Sequence, residues 1–396
     1  MKTITENLTT PILGEYDIII VGGGPAGCGT ALAAARAGAK VIIVEQTTAL
    51  GGMWAGGFMN PLFDSEEKGG ILRELINELT EKGAWGGFRG KSIHFEAMKH
   101  LLEQKITEAG VEVLYETRFS RALCEDKTVT GVICENIAGR FALMGKEIVD
   151  CTGDGNVCAS AGCPFWLGED GDIDSLQAMT LMFTVANIPE KYRIREGLMI
   201  GHILDAAYEA VGKVSPFHLP VLIPAPGNAY ANIQFTHVYG VDPLDPKQRT
   251  EAVMELRHQM IEAMDLLKAY DSDFADMEIV ASAPMLGVRE SRRIIGEYTL
   301  TADDALEGRT FPDGVCTVRF NIDIHSKSSG NRQDLKKVQP YQIPLRAMLP
   351  KGYKGLSVAG RCISGTHTVM ASYRVTGDCF AMGEGLGKYL AEKTAK

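Results

Sequence analysis

Three glycines near the start of the chain are spaced so that they can hold a phosphate group. Gly22, Gly24 and Gly27 follow the order G-x-G-x-x-G. In this motif the first glycine makes a tight turn, the second lets backbone approach a pyrophosphate, and the third lets a helix pack closely on a strand. The helix N-terminus then offers free N–H groups to the anion. The motif predicts a dinucleotide site, and the alternative is a glycine-rich turn in an ordinary α/β unit.

An acidic residue stands where the ribose of such a dinucleotide would lie. Glu45 follows Gly27 by eighteen residues, and its carboxylate can accept both hydroxyl groups of an adenosine ribose. A phosphate at the 2′ position would meet this negative charge, so NADP is disfavoured. Apolar runs at 18–21 and 41–44 flank the glycines and predict strand, turn, helix and strand in that order.

A second group of residues has the chemistry to bind an anionic or polar substrate. Four charged side chains lie within five residues of one another, namely Arg289, Glu290, Arg292 and Arg293. Guanidinium forks suit a carboxylate or a cluster of sugar hydroxyls. Any one of these arginines could instead be a solvated or ion-paired charge. As a group they predict that Arg289 orients a substrate.

His367 and Arg374 are the candidates for moving a proton. His367 lies in the stretch GTHTVMASYR, which we predict to be a loop, and loops commonly carry functional residues. An unperturbed imidazole titrates near neutral pH, which suits proton transfer. A surface histidine without a role is the alternative. His237, inside a strand-like run, is predicted to be structural.

Composition excludes several classes of protein. The net charge of −10 and the absence of a Lys/Arg block give no support to nucleic-acid binding. The N-terminus lacks the order of a signal peptide, and no apolar run reaches the ~20 residues of a membrane span. The nine cysteines form no C-x-x-C pair and no Cys/His cluster, so we expect no metal, no redox disulfide and a reducing, cytoplasmic location.

Periodicity places these residues on elements and divides the chain into regions. A polar leader is expected at 1–15, helices at 70–82 and 95–109, a strand at 111–119 that opens a meander to 150, strands at 178–187, 229–240 and 317–325, helices near 194–212 and at 247–270, and an exposed loop at 326–337. From residue 355 the pattern returns to strand, loop and helix.

Three separated motifs resemble one family of proteins. VGGGPAG with Glu45, VDCTGDG at 149–155, and SVAGRCISGTH with SYRVTGDCFAMGEGLG at 357–387 resemble the FAD-dependent oxidoreductases of the glutathione-reductase fold. Within this group, GVRESRRIIGEYTLT at 287–301 is similar to oxidoreductases distantly akin to fumarate reductase flavoproteins. The resemblance covers nearly the whole chain.

The resemblance implies an extended FAD and assigns residues to its parts. Adenosine would lie at Glu45 and Gln46, and Phe119 would offer its backbone to adenine. The other implied contacts are Gly22, Gly24, Pro25, Ala26 and Gly27 for the pyrophosphate, Gly51, Gly52, Met53 and Trp54 along the pyrophosphate and ribityl chain, Gly153 and Asp154 on the adenosine side, Gly360 and Arg361, and Thr376, Gly377 and Asp378 before the last helix. N–H groups of that helix would face the flavin and stabilise its anionic reduced form. Trp54 fits a core position equally well.

These observations give an expected architecture and activity. We expect an α/β protein with a Rossmann-like FAD-binding domain of the glutathione-reductase type, formed by 1–160 and 350–396, and an inserted α+β substrate domain at 161–349. The expected function is a dehydrogenase or reductase that transfers a hydride between flavin N5 and a small polar organic substrate. A flavin monooxygenase that uses NAD(P)H and a non-catalytic FAD-binding protein are the alternatives. A homo-oligomer is compatible with the sequence.

Overall fold

A computed structural model of the protein describes residues 3–190, 200–228, 230–327, 330 and 334–395. The helices are α1 (Pro25–Arg36), α2 (Gly70–Glu81), α3 (Phe95–Glu108), α4 (Asn156–Ser160), α5 (Gly201–Ala210), α6 (Pro246–Tyr270), α7 (Ala302–Glu307), α8 (His367–Tyr373) and α9 (Thr376–Thr394). The strands of the first 150 residues are β1 (Ile12–Val21), β2 (Val41–Val44), β3 (Trp85–Gly86), β4 (Ser92–Ile93), β5 (Glu112–Leu114), β6 (Arg118–Glu125), β7 (Thr128–Asn136) and β8 (Gly139–Asp150). The later strands are β9 (Phe165–Trp166), β10 (Met179–Thr180), β11 (Phe183–Ala186), β12 (Val221–Pro224), β13 (Ala231–Gln234), β14 (Glu278–Ser282), β15 (Gly287–Val288), β16 (Arg293–Ile294), β17 (Gly314–Val318), β18 (Ile322–Ile324), β19 (Asp334–Lys336), β20 (Tyr341–Pro344) and β21 (Leu356–Val358).

The largest sheet has seven strands in the order β5-β2-β1-β8-β7-β6, with β21 also paired to β8. Strands β5, β2, β1, β8 and β21 run parallel, and β8, β7 and β6 form an antiparallel meander. The Ile/Val runs of β1 and β2 suit a parallel sheet because both of its faces are covered. Val21 lies opposite both Val44 and Asp150, and Val358 also lies opposite Asp150. The carboxyl ends of four strands therefore meet at one edge.

Two expectations for this sheet need correction. Strand β1 begins at Ile12, inside the predicted leader, because residues 12–16 pair with the first half of β8. Ile12 is 60% exposed, so this pairing leaves no burial pattern in the sequence. The predicted strand at 111–119 is two strands, β5 and β6, because Glu116 between them adopts a left-handed φ of 49°.

Helices α1 and α9 cross in close contact, although they lie at opposite ends of the chain. A Cβ on Gly383 would stand 2.2 Å from the carbonyl oxygen of Ala26, and one on Gly387 would stand 2.3 Å from that of Thr30. Only glycine fits at these positions, since atoms cannot approach so closely. The GEGLG stretch is thus a helix-packing surface.

A second, antiparallel sheet has the order β12-β13-β11-β14 and packs against helices α5 and α6. The predicted helix at 247–270 is α6, which Asp245 caps by accepting from the N–H groups of residues 247 and 248. The predicted strand at 178–187 is divided into β10 and β11. The predicted helix near 194–212 corresponds to α5, and its first part, 194–199, lies outside the described residues.

The buried side chains divide the chain differently from the predicted domains. One large core joins the first 163 residues to residues 294–391, and a separate core lies within residues 183–279. A third cluster, which includes Phe58, Phe88 and Met182, lies among segments of both. We therefore propose that the inserted unit covers about 165–290, while 294–349 packs with the part that contains the seven-stranded sheet.

Two further predictions near the C-terminal half differ from the structure. Part of the predicted loop at 326–337 is strand β19, which pairs with β18, and residues 328, 329 and 331–333 lie outside the described part. The predicted loop around His367 is helix α8, because Val369, Met370 and Tyr373 bury one face of it. Within the described chain, every helix is too short or too polar to cross a lipid bilayer.

Candidate active site

A groove of about 670 Å³ lies at the edge where β1, β2, β8 and β21 end. Its floor comes from the turns that follow these strands, which contain Gly22 to Ala26, Glu45 to Thr47, Cys151 to Asp154 and Ala359 to Arg361. Crevices at the carboxyl ends of parallel strands are the usual ligand positions in such sheets. Four distant segments of sequence thus build one elongated site.

The three glycines of the motif have different surroundings, which allows a test of whether a dinucleotide fits. A Cβ on Gly22 would lie 2.4 Å from the carbonyl oxygen of Cys151, and one on Gly27 would lie 2.0 Å from that of Gly22. A Cβ on Gly24 would meet only the Cα of Gly52, at 4.0 Å. Gly22 and Gly27 are therefore required for packing, whereas the chain leaves the space at Gly24 open. An open cradle at the N-terminus of α1 fits a pyrophosphate.

Glu45 lies at the end of β2 and is nearly buried. Its carboxylate accepts from the backbone N–H of Gly23 at 2.7 Å and from the N–H and hydroxyl of Thr47, both at 2.8 Å. These bonds fix the carboxylate beside the groove. An ionised carboxylate offers about four lone-pair sites, two on each oxygen, and Thr47 uses both sites of one oxygen. The oxygen that accepts from Gly23 keeps one site. In this geometry Glu45 can thus accept one ribose hydroxyl, whereas the sequence predicts two.

Asp154 connects three arginines across the groove. Its carboxylate contacts Arg361 at 2.7 Å and Arg249, from helix α6, at 3.4 Å. Arg292 donates to its backbone carbonyl at 2.9 Å. Although burial opposes ionisation, the two guanidinium groups hold the pKa of Asp154 below its usual range. Around Asp154 the groove wall therefore carries two guanidinium groups and one carboxylate.

The structure brings most of the predicted cofactor residues to the groove. Those that line it are Gly22, Gly24, Pro25, Ala26, Glu45, Gln46, Gly52, Met53, Phe119, Gly153, Asp154, Gly360, Arg361 and Thr376. Those that do not line it are Gly27, Gly51, Trp54, Gly377 and Asp378. Gly27 shapes the turn, and Trp54 is fully buried and stacks on Phe380 with ring centroids 5.8 Å apart.

Asp378 faces away from the groove into a buried ion cluster. Lys68 lies 2.7 Å from the Asp378 carboxylate and 2.9 Å from that of Asp64. Burial and the Asp64 charge raise the pKa of Asp378 well above its usual value, while Lys68 opposes them. Gly377 packs against the backbone of Phe63, where a Cβ would lie 2.4 Å from the carbonyl oxygen. Both residues fix the start of α9, and Thr376 is the member of the trio that lines the groove.

A second cavity of about 370 Å³ adjoins the groove. The residues that line both are Met53, Val288, Arg361, Arg374 and Thr376. Most of its other walls are apolar, with Met59, Phe63, Phe88, Met182, Phe217, Leu219, Val221, Ile223 and Phe320 among them. Residues of the inserted unit, about 165–290, and residues outside it both line this cavity.

Arg289 and Arg374 line this second cavity and are both largely buried. Arg289 donates to the carbonyl oxygen of Ala178 at 2.9 Å and to the hydroxyl of Thr180. Burial and the Arg374 charge lower the pKa of Arg289. Asp323 is the acidic side chain among the described residues that line the cavity, and it lies 3.5 Å from Arg374. Two other arginines line the cavity, namely Arg361, which pairs with Asp154, and Arg89, which is exposed. Arg289 and Arg374 are therefore the buried cations near Asp323.

The donors of Arg374 are only partly used. One terminal nitrogen donates to the backbone carbonyl of Asp323 at 2.9 Å and contacts the side-chain oxygen of Gln177 at 3.4 Å. Its Nε–H is buried and has no hydrogen-bond partner among the described residues. A buried donor without a partner is costly, so an anion from a ligand would relieve it.

His367 lines neither cavity among the residues described. Its Nδ1 lies 2.9 Å from the Glu290 carboxylate, which also contacts Arg293, and Glu290 is fully buried. Arg293 donates further to the carbonyl oxygen of Gly365 at 3.0 Å. Glu290, Arg293 and His367 thus form an internal ion network that ties β16 to α8. Because His367 lines neither cavity, its predicted role in proton transfer stays a prediction.

Asp323 and His325 line the second cavity but are not among the residues predicted from the sequence. They stand two residues apart around strand β18, so their side chains point to the same face of the strand. The D-x-H spacing within NIDIH could have indicated this pairing. Arg249 was also missed, because its helix comes from the inserted unit, more than 90 residues from Asp154 in sequence.

Comparison with known proteins identifies a family that covers nearly the whole chain. A family model described as "FAD dependent oxidoreductase" matches residues 17–394. Thiamine thiazole synthase from Aeropyrum pernix is 34% identical over 181 residues, which are 40% of this chain and 66% of that protein. The tRNA uridine 5-carboxymethylaminomethyl modification enzyme MnmG of Clostridium botulinum is 30% identical over 164 residues, 36% of this chain and 25% of the enzyme.

Solved structures show the same fold at low sequence identity. The flavin-dependent brominase Bmp2 aligns with 96% of this chain and 80% of its own, with a TM-score of 0.55 and 14% identity. The matches to the curated relatives span from about a quarter to two thirds of their length.

Proposed function

Because this chain belongs to the FAD-dependent oxidoreductase family and is an enzyme that uses FAD, we propose that it transfers a hydride between flavin N5 and a small organic acid with an apolar body. The groove residues named above would hold the dinucleotide, with Gly24 and the N-terminus of α1 at the pyrophosphate and Glu45 at the ribose. When bound, FAD supplies the group that accepts or donates the hydride.

One observation carries the substrate class. Arg289 and Arg374 are buried in the second cavity and share Asp323 as their nearby carboxylate. Two buried cations beside a single anion leave an excess of positive charge, and burying a charge without compensation is costly. A ligand with a carboxylate or another small anionic group would complete the balance.

The apolar walls of the second cavity determine the chemical character of the rest of the substrate. Phe63, Phe88, Met182, Leu219 and Phe320 present apolar surface next to the arginine pair. Sites with few polar groups and many apolar walls bind amphipathic molecules of modest size. The expected small polar substrate is thus refined here to an acid whose body is aliphatic or aromatic.

The chain's own residues would place the reacting carbon. Arg374 and Thr376 line both the groove and the second cavity, so they stand where the two meet. Arg374 would hold the anionic group at this junction, and Arg289 would fix its orientation from the inserted unit. The apolar walls around the reacting centre would exclude water from it.

A small molecule is preferred to a nucleic acid. One relative carries tRNA modification in its name, but the match covers a quarter of that enzyme. The net charge of −10 opposes binding to a polyanion.

Ligand titration of the FAD-loaded protein tests the proposal. Benzoate and hexanoate should perturb the visible flavin absorption in a saturable way, whereas neutral benzamide should not. Arg289→Met and Arg374→Met should each weaken benzoate binding by about 10- to 100-fold, which is the usual contribution of a charge-assisted hydrogen bond. Arg346→Met is the matched control, because Arg346 pairs with Asp313 at the surface.

Two outcomes would contradict the proposal. Equal affinity for benzamide and benzoate would show that the arginines do not select an anion. Rapid anaerobic reduction of the flavin by NADPH, followed by an oxygenated product, would favour the monooxygenase alternative.

A further inference from the structure

Three side chains beside the arginine pair, His237, His325 and Asp323, lie in a row with their polar atoms within hydrogen-bonding distance. His237 Nδ1 lies 2.9 Å from the carbonyl oxygen of Phe235, His237 Nε2 lies 3.2 Å from His325 Nδ1, and His325 Nε2 lies 3.3 Å from the Asp323 carboxylate. His325 and Asp323 line the second cavity, and His237 lies behind them. Phe217 stacks on His237 with ring centroids 4.0 Å apart and holds the ring in place.

The number of protons that this row of hydrogen-bonding groups holds can be counted. Each of the three links needs one proton, and a neutral imidazole carries one proton. Two neutral histidines therefore supply two protons for three links. The carbonyl of Phe235 can only accept, so His237 must donate from Nδ1 and accept at Nε2. His325 must then donate from Nδ1, which leaves its Nε2 lone pair facing Asp323.

The third proton belongs between His325 and Asp323. That link is the longest of the three, at 3.3 Å. The groups that face His325 and its partners are Asp323, His237, Arg289, Arg374 and, next to His237, Tyr239. In the free protein, burial and the Arg289 charge lower the pKa of His325 to about 4. Burial, together with the arginine charges, thus keeps the third proton out at neutral pH.

An anion bound between the arginines would compensate their charges and so remove the electrostatic part of this opposition. We infer that binding of an organic anion in the second cavity loads one proton onto the His325–Asp323 pair, with His237 as the positioning residue that fixes which nitrogen of His325 receives it. This inference rests on the proposed function, since it needs the anion site at Arg289 and Arg374. The loaded proton lies at the cavity wall, where a reacting substrate can exchange it. His325 thereby takes the role in proton handling that the sequence suggested for His367.

Calorimetric titration of the FAD-loaded protein with benzoate and hexanoate, in buffers of different ionisation enthalpy, measures the protons taken up on binding. The wild-type protein should take up a substantial fraction of one proton per anion near pH 7. Benzoate affinity should fall as the pH rises, by up to about tenfold per pH unit. His325→Gln should bind benzoate without proton uptake or this pH dependence.

Two variants separate proton loading from simple structural damage. His237→Phe keeps the stacked ring but removes the acceptor for His325 Nδ1, so His325 can turn its single proton toward Asp323. Proton uptake should then drop although His325 is still present. His218→Gln is the control, because His218 pairs with Asp205 at 3.0 Å outside both cavities, and its uptake should equal that of the wild type.

Failure of this inference can be distinguished from failure of the proposed function. Benzoate binding without proton uptake in the wild type would overturn this inference and leave the anion site standing. Unchanged uptake in His325→Gln would likewise overturn it. Absence of binding by both anions would overturn the proposed function and this inference together.

Discussion

At the scale of single residues, Gly24 separates cofactor binding from folding. Its backbone is extended, with φ −71° and ψ −175°, and a Cβ there meets only Gly52 Cα at 4.0 Å. Gly24→Val should therefore fold with little loss of stability but lose FAD, because its methyl groups occupy the space of the pyrophosphate. FAD content after purification and thermal unfolding of the apoprotein measure the two effects.

Gly27→Val provides the contrast. Its Cβ would lie 2.0 Å from the carbonyl oxygen of Gly22, so this variant should lose stability as well as FAD. Retention of FAD by Gly24→Val would contradict the position of the pyrophosphate.

His325 gives a second residue-scale expectation, which concerns stability against pH. Burial and the Arg289 charge lower its pKa from 6.5 to about 4. The unfolded chain then binds more protons than the folded chain between these values, so the free energy of unfolding falls as the pH drops from 6.5 toward 4. The contribution of this group is on the order of 3 kcal/mol. Urea unfolding of the ligand-free protein at several pH values measures it.

His325→Gln removes the titrating group and should flatten this part of the pH dependence. His237 adds to the same trend, because burial and the Arg289 charge lower its pKa well below the usual value. A wild-type stability that stays constant from pH 6.5 to 4 would contradict the buried, neutral state of both rings.

At the scale of elements, the contact between α1 and α9 should be sensitive to one methyl group. Gly383→Ala would place its Cβ 2.2 Å from the carbonyl oxygen of Ala26. Overpacking of this kind typically costs about 1–3 kcal/mol. Because Ala26 lines the groove, FAD affinity should fall with stability. Urea unfolding and FAD titration test this, and Glu392→Ala on the exposed side of α9 should change neither. A fully stable Gly383→Ala would contradict the close crossing.

Elements whose signal is local could be predicted from sequence, and those fixed by distant contacts could not. The turn at Gly22 and the helices α2, α3 and α6 follow from short-range patterns of glycine and apolar residues. Strand β1 at Ile12 and the break at Glu116 depend on pairing partners and backbone geometry that leave no periodicity.

The residues of the candidate site also separate into those that could be predicted from the sequence and those that could not. The residues at the strand ends, such as Glu45 and Gly153, could be predicted because motif and topology place them together. The contact of His237 with His325 could not, since these residues are 88 positions apart and meet only through tertiary packing. His367 suited proton transfer by residue type and by its predicted loop position, but the fold buries it in a helix against Glu290.

At the scale of the whole molecule, the two cavities should communicate through Arg374 and Arg361, which line both. The charge of an anion bound in the second cavity would then change the electrostatic potential in the groove. In His325→Gln, which is expected to take up no proton with benzoate, benzoate at saturation should shift the reduction potential of the bound FAD to more negative values, because it adds negative charge beside a group that becomes anionic on reduction. Spectroelectrochemical titration of this variant with and without benzoate measures the shift. Addition of Arg346→Met to His325→Gln should leave the shift the same, and an unchanged potential in His325→Gln would contradict communication between the cavities.

The crossing of α1 and α9 also determines when the protein can first acquire its cofactor during synthesis. Helix α9 begins about 350 residues after α1, and ribosomes add about 5–20 residues per second. A nascent chain therefore carries the complete glycine motif for roughly 20–70 s before the helix that packs against it emerges. Throughout that interval α1 lacks its packing partner and the groove lacks Thr376 and Arg361. Loading of FAD is thus expected only after α9 has been translated, because the groove is incomplete until then.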